Sequence, residues 1–155
     1  MEEKNDIVDS SNFIKGIKDL VSESRRQAYA AINQRMVKTY WQIGRRIVEE
    51  EQQGKQRAGY GKQLLKQLSA ALTDEFGKGF SVQQLYYMRQ FYVLFDGKFP
   101  TQCGILTWSH YKRLLSVSSD EARNWYLREA TEQMWSYATL NRNIATQEAK
   151  HIRVT

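Results

Sequence analysis

The stretch before Gly54 contains no proline, and it narrows the folds open to this chain more than any other feature. Val21, Ala28, Ile32, Met36, Tyr40, Ile43 and Ile47 recur there at spacings of three, four or seven, the period of one helix face. Within 22–53 only Gly44 interrupts good helix formers, and Gly54 is a natural stop. At ~1.5 Å per residue, a helix over 22–53 reaches on the order of 45 Å, longer than an ordinary globular helix. A helix of that length spans a whole domain or projects into a partner chain. Gly44, beside Trp41 and Ile43, either admits a close backbone approach or is a tolerated defect costing ~1 kcal/mol.

Gly54, Gly59 and Gly61 punctuate the next segment. A second helix is expected over about 60–76, with the stripe Leu64, Leu65, Leu68, Leu72 and Phe76. Gly77-Lys78-Gly79 makes a tight turn, and a third helix over 81–95 opens at Phe80-Ser81. Ser81 reads as its N-cap, Gln84 as the capping-box partner, and Phe80 as a staple onto Leu85. The loop from Asp96 to Pro100 holds the only proline. Trp108-Ser109 opens a fourth helix, Ser119 caps a fifth over about 120–133, and Trp135-Ser136 opens a sixth. No segment alternates with period two long enough to demand a sheet. The fold class is all-α, with a long N-terminal helix and tandem helix-turn-helix-like units. Residues 1–14 are expected to fray, 15–147 to form the helical domain, and 148–155 to be a tail.

At 155 residues the chain is one domain with enough length for a real core. It has no run of 18 apolar residues, so no membrane span is expected. The polar, acidic start lacks a signal-peptide pattern, and the single Cys103 fits a reducing, cytoplasmic address. Two histidines and one cysteine do not give zinc-ligand spacing, and no P-loop or nucleophile elbow occurs. Glu148-Ala149-Lys150 spells the E-x-K tripeptide of metal-dependent nucleases, but the upstream aspartate and supporting strand are missing. His110 has no orienting acid nearby and receives no role. The expectation is no catalytic residue, no cofactor and no metal.

Charge is more informative. Residues 1–51 and 120–155 each sum to zero, so the whole net charge of +6 lies in 52–119. Such a segment can attract phosphate backbones through counterion release. On the third helix Ser81, Leu85, Met88, Tyr92 and Phe95 share one face, which should be core. The opposite face presents Gln83, Tyr86, Tyr87 and Gln90, with Arg89 on the flank, residue types suited to a major groove. Lys78, Lys112 and Arg113 complete the candidate DNA contacts. Phe91 and Leu94 thicken the apolar side, which instead suits burial, centrally or against another subunit. The aromatic cluster of Trp125, Tyr126, Trp135 and Tyr137 reads as a second core. A DNA-binding module and an oligomerisation domain pairing through 22–53 and 81–95 therefore both stand.

Several strings resemble the N-terminal domain of bacterial YhcG-like proteins over about residues 15–145. They are Ser24-Arg25-Arg26-Gln27-Ala28-Tyr29, Tyr40-Trp41-Gln42-Ile43-Gly44-Arg45-Arg46-Ile47, Tyr60-Gly61-Lys62 and Phe76-Gly77-Lys78-Gly79-Phe80-Ser81. Tyr87-Met88-Arg89-Gln90-Phe91-Tyr92 and Leu106-Thr107-Trp108-Ser109-His110-Tyr111 belong with them. The resemblance implies a helix-turn-helix-like, DNA-binding domain followed in the family by a PD-(D/E)XK nuclease domain. That nuclease would begin near Thr155, so no catalytic residue carries over, and the nuclease is expected as a separate domain or partner chain.

Overall fold

The computed structural model describes residues 2–54, 59–95 and 106–154, with side chains described within 10–148. Among the described residues it forms six helices and no strand. They are α1 (Glu2–Gln53), α2 (Tyr60–Phe76), α3 (Val82–Leu94), α4 (Trp108–Leu115), α5 (Asp120–Glu132) and α6 (Tyr137–Val154). The all-α expectation with a long first helix holds. The long helix starts at Glu2, not near residue 22, because nothing in 2–21 breaks a helix once it is nucleated. Its backbone runs without interruption through residues 2–14, and α6 likewise runs through 148–154. The proline loop lies outside the described residues.

The body is built around α3, which packs on α1, α2 and α4. Gly44 makes that arrangement possible. A Cβ there would lie 2.0 Å from the Met88 carbonyl oxygen, so α3 crosses α1 at a point where only glycine fits. Leu85 and Met88 of α3 enter one core with Ile47 and Leu65, against which Tyr40, Ile43, Leu68, Leu72 and Phe80 pack. Phe91 enters a second core with Val37, Tyr111, Leu114, Tyr126, Leu140 and Ile144. The Phe91 ring lies 4.8 Å from Tyr111 and 5.5 Å from Trp108, distances at which aromatic pairs add to simple burial. Phe91 is fully buried, whereas Ser81, expected on the core face, is exposed at the helix cap. The apolar side of α3 is thus filled from within its own chain.

Two other apolar expectations are corrected. Phe76 is 63% exposed, since α2 ends there, and its ring lies 6.2 Å from Phe80. Of the C-terminal aromatics, Tyr126 is buried and Trp135 half-buried, but Trp125 and Tyr137 are each 45% exposed. Both lie at the margin of the packed face, where Tyr137 meets His110 edge-on at 6.3 Å and Trp125 meets Tyr126 edge-on at 5.1 Å.

The helix ends follow the polar residues. Ser81, Ser119 and Ser136 accept from the backbone N–H of Gln84, Ala122 and Thr139. The capping box at Ser81 does not close, because the Gln84 side chain instead accepts from Trp108 Nε1 at 3.1 Å and ties α3 to α4. At the fourth helix the cap is Thr107, two residues before Ser109, and Trp108 is already helical. Gly77 and Gly79, at φ 84° and 112°, supply the left-handed turn between α2 and α3 that other residues rarely adopt.

Candidate nucleic-acid interface

The turn at Gly77–Ser81 delivers α3 with its apolar side on α1, which leaves Gln83 and Tyr86 exposed and Tyr87 and Gln90 half-exposed. These four form one connected patch. Gln83 Nε2 donates to Tyr87 Oη at 2.8 Å, and Gln90 Nε2 donates to Tyr86 Oη at 2.9 Å. The two tyrosine rings sit 6.4 Å apart. Beside the patch opens a cleft of about 440 Å³, lined by Glu51, Tyr60, Lys62, Leu65, Tyr86 and Arg89 among others. Lys66 lies one helical turn beyond Lys62, and Lys78 is exposed in the turn before α3. Lys62, Lys66 and Lys78 make no ion pair among the described residues.

The two candidate arginines are placed differently. Arg89 Nε donates to both carboxylate oxygens of Glu51, at 3.0 and 2.8 Å, clamping α3 onto the end of α1. The pair is largely shielded, with side chains 31% and 19% exposed. Arg113 donates to Asn141 Oδ1 at 2.7 Å and to the Ser116 hydroxyl, and it reaches Glu148 at 3.4 Å, fastening α4 to α6. Each guanidinium is neutralised or occupied by a neighbouring helix. Lys112, beside Arg113, is half-buried and makes no ion pair among the described residues. Sequence alone could not reveal Glu51 as a partner 38 positions from Arg89. The only hint was an acid at the end of one helix and a base on the flank of another.

Glu148, the carboxylate of the E-x-K tripeptide, faces Arg113. No group of three or more potential metal ligands occurs among the described residues. His110 has a role that the sequence did not disclose. Its Nδ1 accepts from the Thr107 backbone N–H at 3.1 Å and lies 2.8 Å from the Thr107 hydroxyl, which donates when Nδ1 is bare. Nε2 then carries the proton and donates to the Trp135 carbonyl at 2.9 Å, joining the start of α4 to the start of α6. The ring is 5% exposed, and burial lowers its pKa below the usual histidine value, opposed by the Trp135 hydrogen bond. His110 is a neutral structural bridge. Arg123, 2% exposed, plays a similar part between α4 and α5, donating to the Val117 carbonyl and to Asp120.

Comparison with known proteins agrees with the resemblance seen in the strings above. The family model described as the DUF1016 N-terminal domain matches residues 16–150. The Escherichia coli (strain K12) protein named "Putative nuclease YhcG" is 38% identical over 85% of this chain. The chain spans less than half, 44%, of that relative's length. No solved structure matches. No helix among the described residues is long and apolar enough to cross a membrane.

Proposed function

This chain belongs to the DUF1016 N-terminal domain family, and from that premise we propose that it is the DNA-holding module of a nuclease-associated protein, non-catalytic in itself. The observation that carries the reading is the polar edge of α3. It follows a tight turn, displays Gln83, Tyr86, Tyr87 and Gln90, and has near it Lys62, Lys66 and Lys78, which make no ion pair among the described residues. Glutamine side chains match adenine edges, and tyrosines suit phosphate or a thymine methyl. The hydrogen bonds within the patch hold these groups in place before binding, which lowers the ordering cost of contact. The lysines supply the sequence-independent attraction, and Lys112 on α4 extends it. Arg89 and Arg113 act as positioning residues that keep α3 and α4 where the contacts need them.

The test is binding of the purified chain to labelled duplex, branched and single-stranded DNA across a salt series. Binding should weaken with salt, and replacing Lys62, Lys66 and Lys78 by alanine should flatten the log–log slope by roughly 0.9 for each phosphate no longer neutralised. No binding at low salt, or a slope untouched by the triple replacement, overturns the reading.

A further inference from the structure

Residues 10–29 and 31–36 of α1 are exposed, yet their sequence is not that of a solitary helix. Phe13, Ile14, Ile17, Leu20, Val21 and Ile32 each leave between 44% and 69% of their surface open. An apolar stripe of this size on a projecting helix is a docking surface. Its own pattern says what docks there.

Positions 14, 17, 21, 24, 28 and 31 follow the alternating three-and-four spacing of a two-helix seam. The first three hold Ile14, Ile17 and Val21, and the last three hold Ser24, Ala28 and Ala31. In a parallel pair the large residues would meet large ones at one end, and small would face small at the other. The helices would then splay or leave a void along half the seam. Turned end over end, the same pattern fits itself: Ile14 faces Ala31, Ile17 faces Ala28, and Val21 faces Ser24. A two-fold axis repeats each of these large-on-small layers, as an isologous contact requires.

We propose that two copies of this chain pair through the 10–36 arm of α1 in an antiparallel homodimer, with Ile14, Ile17 and Val21 of each packing on Ala31, Ala28 and Ser24 of its mate. The two bodies then sit at opposite ends of the shared rod, with their Gly44 crossings roughly 65 Å apart at ~1.5 Å of rise per residue. A seam of about three heptads is short, so dissociation is expected in the micromolar range. The proposal stands apart from the DNA reading and shares no residue with it.

Light scattering on the native chain, from low to high micromolar, should show a monomer giving way to a dimer. Ile17→Glu should abolish the dimer without moving the thermal midpoint of the body, since Ile17 is 44% exposed and belongs to neither described core. Orientation is read by oxidative cross-linking on a Cys103→Ser background, which removes the one native thiol. A chain carrying Ile14→Cys should link to a differently tagged chain carrying Ala31→Cys, and not to itself. A monomer at every concentration overturns the proposal and leaves the DNA assay to be judged separately. Self-linking through position 14 overturns the antiparallel order. A dimer that forms neither link overturns the register.

Discussion

Residues 37–53 of α1 and residues 10–36 of the same helix carry apolar side chains at the same spacing. Val37 and Ile47 are 1% and 3% exposed, while Ile14 and Leu20 are 51% and 65% exposed. The inner half is covered because α3 crosses it at Gly44 and brings Leu85, Met88 and Phe91 down on either side. No helix among the described residues crosses the outer half in this way. Periodicity reports that a helix has an apolar face, and it is silent about whether the cover comes from the same chain or another. The two glycines of α1 make the same contrast. An added Cβ at Gly44 would strike backbone, whereas at Gly16 it would meet nothing within 4 Å.

That contrast can be broken most directly by changing both glycines to alanine. Gly44→Ala should be the largest single loss. Overpacking alone typically costs about 1–3 kcal/mol, and here the obstacle is backbone, which cannot yield as a side chain does. The upper end of that range or more is expected in urea or thermal unfolding. Gly16→Ala should instead raise helix stability by roughly 0.5–1 kcal/mol. Comparable losses at both sites would mean that the outer arm is packed in solution as closely as the inner half.

A second comparison sets the paired cations against the unpaired ones. Arg89→Ala removes the clamp between α3 and α1 and should cost roughly 1–2 kcal/mol, because its partner Glu51 is largely shielded. Lys78→Ala should stay within about 0.5 kcal/mol in stability and reduce the salt slope of DNA binding by about one phosphate. The reverse pattern, a stable Arg89 variant that no longer binds DNA, would make Arg89 a reader and not a support.

The mildest test concerns pH. His110 has its pKa lowered by burial, so the unfolded chain binds a proton at a higher pH than the folded one. Its contribution is complete above the ordinary histidine pKa. It declines as pH falls below that value, when protonation takes Nδ1 away from Thr107. Thermal midpoints measured from neutral to mildly acid pH should fall, and His110→Gln should remove this part of the dependence. An unchanged slope in that variant would assign the acid sensitivity to other groups.

Much of the local architecture was legible in the order of residues. Ser81, Ser119 and Ser136 announced three helix starts, because a hydroxyl that accepts from the N–H three residues on needs no tertiary help. Gly77 and Gly79 announced the turn for the same local reason. The close approach at Gly44 was readable as one of two alternatives. The candidate interface was readable as residue types on one helix edge, and Gln83, Tyr86, Tyr87 and Gln90 do lie together. Arg89 and Arg113 could not be told from free cations, since their partners Glu51, Asn141 and Glu148 lie 38, 28 and 35 positions away. His110 was invisible as a bridge because its acceptor, the Trp135 carbonyl, is a backbone group that no side-chain pattern marks.

The sequence by itself determined six helices, most of their boundaries, and the apolar stripes each must bury. Those depend on spacing along one stretch of chain, on capping within four residues, and on glycine where φ is positive. Only the tertiary structure decided which stripes found cover, which cations found carboxylates and which histidine went neutral. Each of those outcomes depends on surfaces that meet after folding, at separations in sequence that local propensity does not reach.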